Sequence, residues 1–345
     1  MAVAFDPDSQ KLTGAPFPIA ENVAITGYLV IGVFSAALDG TLVQLPASGI
    51  KSEFIWYSLA GMRLGTLGDP AEYGYGSVRI SPDGKSAAVS IVEQAQGSSD
   101  LWIIDTDRNS PMRMTTHARD DFFGIWSRDG KWIVFSSHRK GVVDLYLREV
   151  ASIQSEKLLL ESAEPKFPLS WSPDGKTLLF GSRALKTKAD LWILPISQES
   201  SKPEPFLNSE HSETLAHFSP DGKWIVYDSD EQRSSEVFAI SYPDKRGKVK
   251  ISNAGGTNPR WSPDGTKIYY QDPDNYLVEV ALNVEPSRMI PGVPKRLFQI
   301  QPAALYGVFD IAPDGKRFLV NTAPEATNAV PLKVVLNWPL EFQKR

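Results

Sequence analysis

Residues 171–180 read WSPDGKTLLF: a tryptophan, a Ser-Pro-Asp-Gly turn, a lysine and a mostly apolar run. Proline fixes φ for the second residue of a tight turn. The Asp174 side chain can bond the backbone two residues on, and Gly175 accepts positive φ. Nearly the same phrase returns along the chain. It appears as RISPDGKSAAVS from Arg79, IWSRDGKWIVFS from Ile125, HFSPDGKWIVYD from His217, RWSPDGTKIYYQ from Arg260 and DIAPDGKRFLVN from Asp310. A weaker copy, SAALDGTLVQL, starts at Ser35. The aspartates are Asp39, Asp83, Asp129, Asp174, Asp221, Asp264 and Asp314, at steps of 44, 46, 45, 47, 43 and 50 residues. A period of this size with strand-like content is the signature of propeller blades.

Residues 168–207 hold one whole unit. PLSWS is a short strand ending in the turn, KTLLFG a second, LWILPI a third and PFLNS a fourth, with polar loops between. Four antiparallel strands in about 40 residues are the content of one blade. The third strand recurs as DLWII at Asp100, DLYLR at Asp144, DLWIL at Asp190 and EVFAI at Glu236, more loosely as EFIWY at Glu53 and NYLVEV at Asn275. No stretch keeps a helical period beyond two turns. Turn chemistry accounts for the Asp-Gly pairs, and packing between blades for the aromatics, better than catalysis does.

Bulk properties narrow the function. The chain has 345 residues, 42% hydrophobic and 22% charged, an ordinary globular composition. Net charge is −5, which argues against a nucleic-acid binder. With no cysteine, thiolate catalysis and cysteine-ligated zinc are excluded. The longest apolar run, residues 24–38, is too short to span a bilayer comfortably and lacks the basic flank of a signal peptide. It reads as two short strands joined near Gly32. The abrupt opening MAVAFD suggests a segment of a longer protein.

The expected fold is an all-β propeller forming one domain over 1–345. Seven four-stranded blades are expected, roughly 24–68, 69–116, 117–161, 162–208, 209–253, 254–300 and 301–345 plus 1–23. In that arrangement the N-terminal segment completes the last blade, because an open ring would expose unpaired edges. A six-bladed ring is the main competitor.

SPDGK between a short strand and an apolar one, followed by DLW, resembles the TolB-type, WD40-like β-propeller repeat over roughly residues 25–320. Three features are similar to the propeller regions that follow the kinase domain in some bacterial serine/threonine kinases. They are FDPDSQKLTGAPFPIAENV, FSPDGKWIVYDSDEQRSSEVFAISYP and VVLNW. The kinase's own motifs are absent from the sequence. The resemblance implies binding of peptide or protein partners rather than catalysis, and a periplasmic or extracytoplasmic setting. The compartment is otherwise open.

Two sets of candidate site residues follow. Loops joining strand four to the next blade, and strand two to strand three, share one face. They carry Glu72, Tyr73, Tyr75, His117, Arg119, Asp120, Phe122, Lys166, His211 and Tyr306. Exposed aromatics beside charges are what a recognition surface uses. The second set sits four residues before each Asp-Gly aspartate and reads Ser35, Arg79, Ile125, Ser170, His217, Arg260 and Asp310; Arg79, His217, Arg260 and Asp310 are expected to line the channel, with Asp310 beside Arg260 as an ion pair.

No catalytic motif, metal site or cofactor site is recognised. The expectation is a non-catalytic recognition propeller, a monomer that binds a protein, a peptide or a small ligand at the loop face and channel mouth, on the side opposite the Asp-Gly turns. It is read as the sensor or interaction module of a larger bacterial envelope or signalling protein. No nucleic acid and no membrane insertion are expected. The alternatives are a hydrolase or lyase using channel-mouth carboxylates, with Asp120 or Asp121 and Glu72 as first candidates, and a purely structural scaffold.

Overall fold

The repeated turn has one construction in the computed structural model. In five copies the serine hydroxyl donates to the aspartate Oδ1 at 2.5–2.6 Å, as from Ser81 to Asp83 and from Ser262 to Asp264. The amide after the glycine donates to the same oxygen at 3.0–3.1 Å. The next amide donates back to the serine hydroxyl. The glycines hold φ near +70°, where a Cβ would be strained. The copy at Asp314 has Ala312 in the serine's place and keeps only the bond from the Lys316 amide, at 2.9 Å.

The structure describes residues 2–6, 8–17, 25–26, 31–32, 34–37, 39, 41–44, 51–74, 78–93, 97–152, 156–184, 188–196, 202–232, 234–285, 288–303, 307–323 and 333–336. They fall into two compact units, one from residues 1–50 with 324–345 and the other from 51–323.

The larger unit contains six sheets built on the same plan. Blade 1 runs outward through Arg79–Ile80, Ser86–Glu93, Ser98–Asp105 and Pro111–Arg113. Blade 2 uses Asp121–Trp126, Trp132–Lys140, Val142–Glu149 and Lys157–Leu160. Blade 3 uses Lys166–Trp171, Thr177–Ala184, Lys188–Pro195 and Glu204–Leu207. Blade 4 uses Glu213–Phe218, Trp224–Gln232, Ser234–Ser241 and Val249–Lys250. Blade 5 uses Thr257–Trp261, Lys267–Gln271, Tyr276–Glu285 and Lys295–Gln299, with Arg288–Pro291 paired to the far end of its third strand. Blade 6 takes Phe309–Ile311 and Arg317–Thr322 from one end of the unit, then Ser52–Ser58 and Arg63–Ala71 from the other.

The innermost strands touch one another in cyclic order, blade 6 returning to blade 1. Six buried apolar clusters fill the six junctions. One joins Trp224 and Val226 of blade 4 to Trp261 and Tyr270 of blade 5. Another joins Phe54, Trp56 and Leu319 of blade 6 to Val78, Ile80 and Val89 of blade 1. Each fully buried large side chain contributes about 1.5–3 kcal/mol, so the blade junctions hold the ring together. The recurring aromatics are therefore packing, as the sequence implied.

Two expectations about the ring are corrected. Closure does not use the described strands of residues 1–23. Arg317–Thr322 pairs residue for residue with residues 53–58, while Ala2–Asp6 and Lys11–Phe17 pair with each other. Ser52–Ser58 suits the role because it turns Phe54 and Trp56 into the blade 6/blade 1 core. EFIWY keeps its expected place as a third strand, but of the last blade. The described blades also number six, not seven. The copy at Asp39 makes a hairpin between Phe34–Ala36 and Leu42–Gln44 in the smaller unit, where Lys333–Val335 adds a third strand. Phe34–Ala36 is exposed throughout, unlike the buried inner strands of the blades. Among its described residues the apolar run 24–38 shows three short strands rather than two: Ile25–Thr26, Ile31–Gly32 and Phe34–Ala36.

Acidic residues opening the third strands also have a structural task. Asp100 accepts from Thr115 Oγ1 at 3.0 Å, and Glu236 accepts from Ser252 Oγ and from the Gly255 amide at 3.0 Å. Each carboxylate thus ties its blade to the connection leading to the next.

Candidate functional site: the turn end of the central channel

The residue four before each turn aspartate points to the axis. Arg79, Ile125, Ser170, His217, Arg260 and Asp310, one per blade, line a cavity of about 280 Å³. The residues after them, including Trp126, Trp171, Phe218 and Trp261, form its apolar walls. Pro82, Pro220, Pro263 and Pro313 place it at the turn end of the channel.

Four charged or titratable groups meet here. Arg260 Nη1 lies 2.6 Å from His217 Nε2, and Arg79 Nη2 lies 3.3 Å from the same atom. Blades 1 and 4 stand opposite in a ring of six, so Arg79 spans the channel. A guanidinium has no acceptor. His217 Nε2 therefore accepts from both arginines, and the ring proton sits on Nδ1. Burial, then Arg260 and Arg79, hold the His217 pKa well below the usual histidine value. Arg260 Nε is 3.6 Å from Asp310 Oδ1, the ion pair expected from ring adjacency. Asp310 Oδ2 also accepts the Ile80 amide at 2.9 Å. Burial pushes the Arg260 pKa down, Arg79 adds to that, and Asp310 opposes it. An arginine nevertheless stays charged in a protein. The cluster brings two guanidiniums together, and Asp228 acts on Arg260 in the same sense as Asp310.

The tryptophans brace this arrangement. Trp126 Nε1 donates to the Arg79 carbonyl at 2.9 Å, and Trp261 Nε1 to the His217 carbonyl at 3.1 Å. Each indole fixes the channel residue of the preceding blade.

The rim has one irregularity that sequence reading passed over. A Cβ placed on the turn glycine would meet the preceding blade's proline at 3.1 Å for Gly222–Pro173, 3.5 Å for Gly84–Pro313 and Gly315–Pro263, 3.6 Å for Gly265–Pro220 and 4.0 Å for Gly130–Pro82. Nothing lies within 4 Å of that position on Gly175. The preceding turn is Ser127-Arg128-Asp129-Gly130, with arginine where its counterparts have proline. Arg128 lines the cavity. The signal in the sequence was the arginine at the proline position, which the other five blade turns all keep as proline.

The loop-face candidates are placed differently. Tyr73 packs at a tilt against Phe54, ring centroids 4.3 Å apart, and donates to the Asp69 carbonyl at 2.8 Å, with burial pushing its pKa up to about 12. Phe122 is buried against Phe123, Phe167 and His138. Lys166 is 1% exposed, its Nζ 2.9 Å from Asp144 Oδ1 and 2.6 Å from the Glu164 carbonyl. Arg119 is exposed, and its amide donates to His117 Nδ1 at 3.1 Å. Asp120 accepts the Ser99 amide at 2.8 Å and lies 3.5 Å from His138 Nδ1. Burial raises its pKa, but those two partners outweigh it and leave the carboxyl below its usual value. His211 Nδ1 is 3.7 Å from Asp230 Oδ1 at the surface, and Glu72 is half-buried. Tyr75 and Tyr306 lie outside the described residues.

Of the carboxylates considered for catalysis, Asp121 is fully buried and paired with Arg139 at 2.8 Å. Among the described residues no three histidines or carboxylates converge as a metal site. No described helix is long and apolar enough to cross a membrane.

Known proteins share this repeat and this fold. Residues 70–184 match the family model described as the TolB beta propeller domain. An uncharacterized protein of Agrobacterium fabrum is 27% identical over 60% of this chain and 76% of its own length. The Tol-Pal system protein TolB of Desulfosudis oleivorans is 25% identical over 31% of this chain, and the match spans only 24% of that protein. Among solved structures, a protein described as a TolB of Agrobacterium tumefaciens superposes with a TM-score of 0.62 at 18% identity, covering 81% of this chain and all of that one. The fold is that of a TolB-type β-propeller.

Proposed function

We propose that the chain is a non-catalytic recognition module whose ligand or protein partner engages the mouth of the central channel. The observation that carries this reading is the cavity itself: six inner strands converge on it, and blade packing holds their side chains in place. Binding chemistry belongs on such a rigid scaffold. The site's titratable groups argue against acid–base chemistry. The one ring lone pair of neutral His217 already faces two cations. A general base needs a free lone pair near the proton it removes. The TolB-type fold is consistent with protein binding, though a fold alone does not assign a function. Similarity to kinase-linked propellers extends the proposal to an interaction part of a larger envelope or signalling protein.

The test has two arms. Purified protein and a cavity-filled variant, Ser170→Trp, are compared for capture of partners from a bacterial envelope extract. Both are assayed for turnover of glycosides and lactones. The expected result is a partner that the folded variant loses, with no turnover. Turnover by the wild type that the variant lacks would replace this reading with an enzyme.

A further inference from the structure

We propose that the turn-end cavity is a receptor for a single carboxylate carried on an apolar body, entered beside Arg128. The inference rests on the recognition reading and names the chemistry of its ligand.

Three observations converge. First, donors are left over. Arg260 is 3% exposed, and its Nη2 has no hydrogen-bond partner among the described residues. Trp171 Nε1 is likewise buried and unpartnered, whereas Trp126 and Trp261 donate to carbonyls. Both residues line the cavity. Buried donors without partners are costly and call for an acceptor. His217 offers one lone pair to two guanidiniums, while a carboxylate offers about four acceptor sites and suits the arginine fork.

Second, charge limits the anion. Arg79 and Arg260 bring two guanidiniums to the cavity, and the carboxylates of Asp310 and Asp228 both act on Arg260. A monocarboxylate meets those carboxylates with one charge, whereas a phosphate dianion would bring two.

Third, shape and access agree. The walls are Ile80, Leu169, Phe218 and the indoles. A volume of about 280 Å³ lies at the small end of ligand sites, roughly 300–1,000 Å³, so it suits a residue-sized ligand. The missing proline contact at Gly175 and the unpartnered Trp171 indole flank the same blade 2/blade 3 junction, and Arg128 supplies a cation there. A free apolar acid and the C-terminal residue of a peptide both present this chemistry.

The experiment is a titration followed by tryptophan fluorescence, since three indoles line the site. The probes are N-acetylleucine, N-acetylleucinamide, inorganic phosphate, and a leucine-ended pentapeptide as free acid and as amide. N-acetylleucine is expected to saturate the signal and the amide to bind at least about tenfold more weakly, since charge-assisted hydrogen bonds are lost. Arg128→Pro, which restores the common turn, is expected to weaken acid binding several-fold and leave amide binding unchanged. Tighter binding of the peptide acid than of N-acetylleucine identifies a chain terminus as the source, and the reverse a free acid. Equal binding of acid and amide, tighter binding of phosphate, or no binding by any acid overturns the proposal. Capture of a partner that Ser170→Trp loses would leave the recognition reading standing in each of those cases.

Discussion

Arg79 of blade 1 reaches across the channel to within 3.3 Å of His217 Nε2 on blade 4, where Arg260 approaches the same atom to 2.6 Å. Burial first, and then the two arginines, keep His217 neutral in the fold, so the unfolded chain binds its proton more readily. Stability from this site is complete above the unfolded histidine pKa, about 6.5, and falls as pH drops below it. The loss reaches up to about 1.4 kcal/mol per pH unit. His217→Gln keeps an acceptor and does not titrate. Urea melts between pH 7 and 5 should show a shallower pH slope for this variant than for the wild type.

Asp228 works in the opposite sense. It is buried between blades 4 and 5, and burial pushes its pKa up to about 6 despite hydrogen bonds from Thr214 and Thr257. The folded state holds this proton more tightly than the unfolded chain, whose aspartate titrates near about 3.9. Its contribution is full below that value and is lost as pH rises through about 6. Asp228→Asn should remove this loss, so the variant gains stability relative to wild type from pH 4 to pH 7, measured by the same melts.

Arg128 stands where its counterparts have proline, at a position whose turn geometry is otherwise unchanged. Arg128→Pro should stabilise by about 0.4–1 kcal/mol, by restricting the unfolded chain. A rise in melting temperature checks this. A fall would mean that the arginine makes contacts outweighing that restriction.

Lys166 is a buried cation whose Nζ meets Asp144 Oδ1 at 2.9 Å and the Ser162 hydroxyl at 3.0 Å. Lys166→Met leaves Asp144 buried without its partner and should cost about 3–5 kcal/mol. The double variant Lys166→Met/Asp144→Asn should recover part of that in equilibrium unfolding.

Local chemistry was legible in the sequence and ring geometry was not. The Ser-Pro-Asp-Gly turn is a four-residue device, so Asp83 and Asp264 could be assigned their bonds from residue type alone. Strand roles followed from the same spacing, and Arg260 and Asp310 could be paired as neighbours in any ring. Blade number is a long-range property. The 44-residue step from Asp39 to Asp83 matches the others, yet Asp39 turns a hairpin in the smaller unit. Arg79 and His217 were both legible as channel-lining residues, but without the number six they could not be seen as opposite. Loop aromatics misled because Tyr73 and Phe122 sit in polar stretches but fold inward onto Phe54 and Phe167.

The most direct test of the central claim is a hydrogen-exchange footprint of the protein with and without a captured partner. Recognition at the channel mouth predicts protection at the inner-strand ends and turns, residues 79–85, 125–131, 217–223 and 260–266. Protection confined to the outer strands, residues 111–113, 157–160 and 204–207, with the turns unchanged, would contradict it.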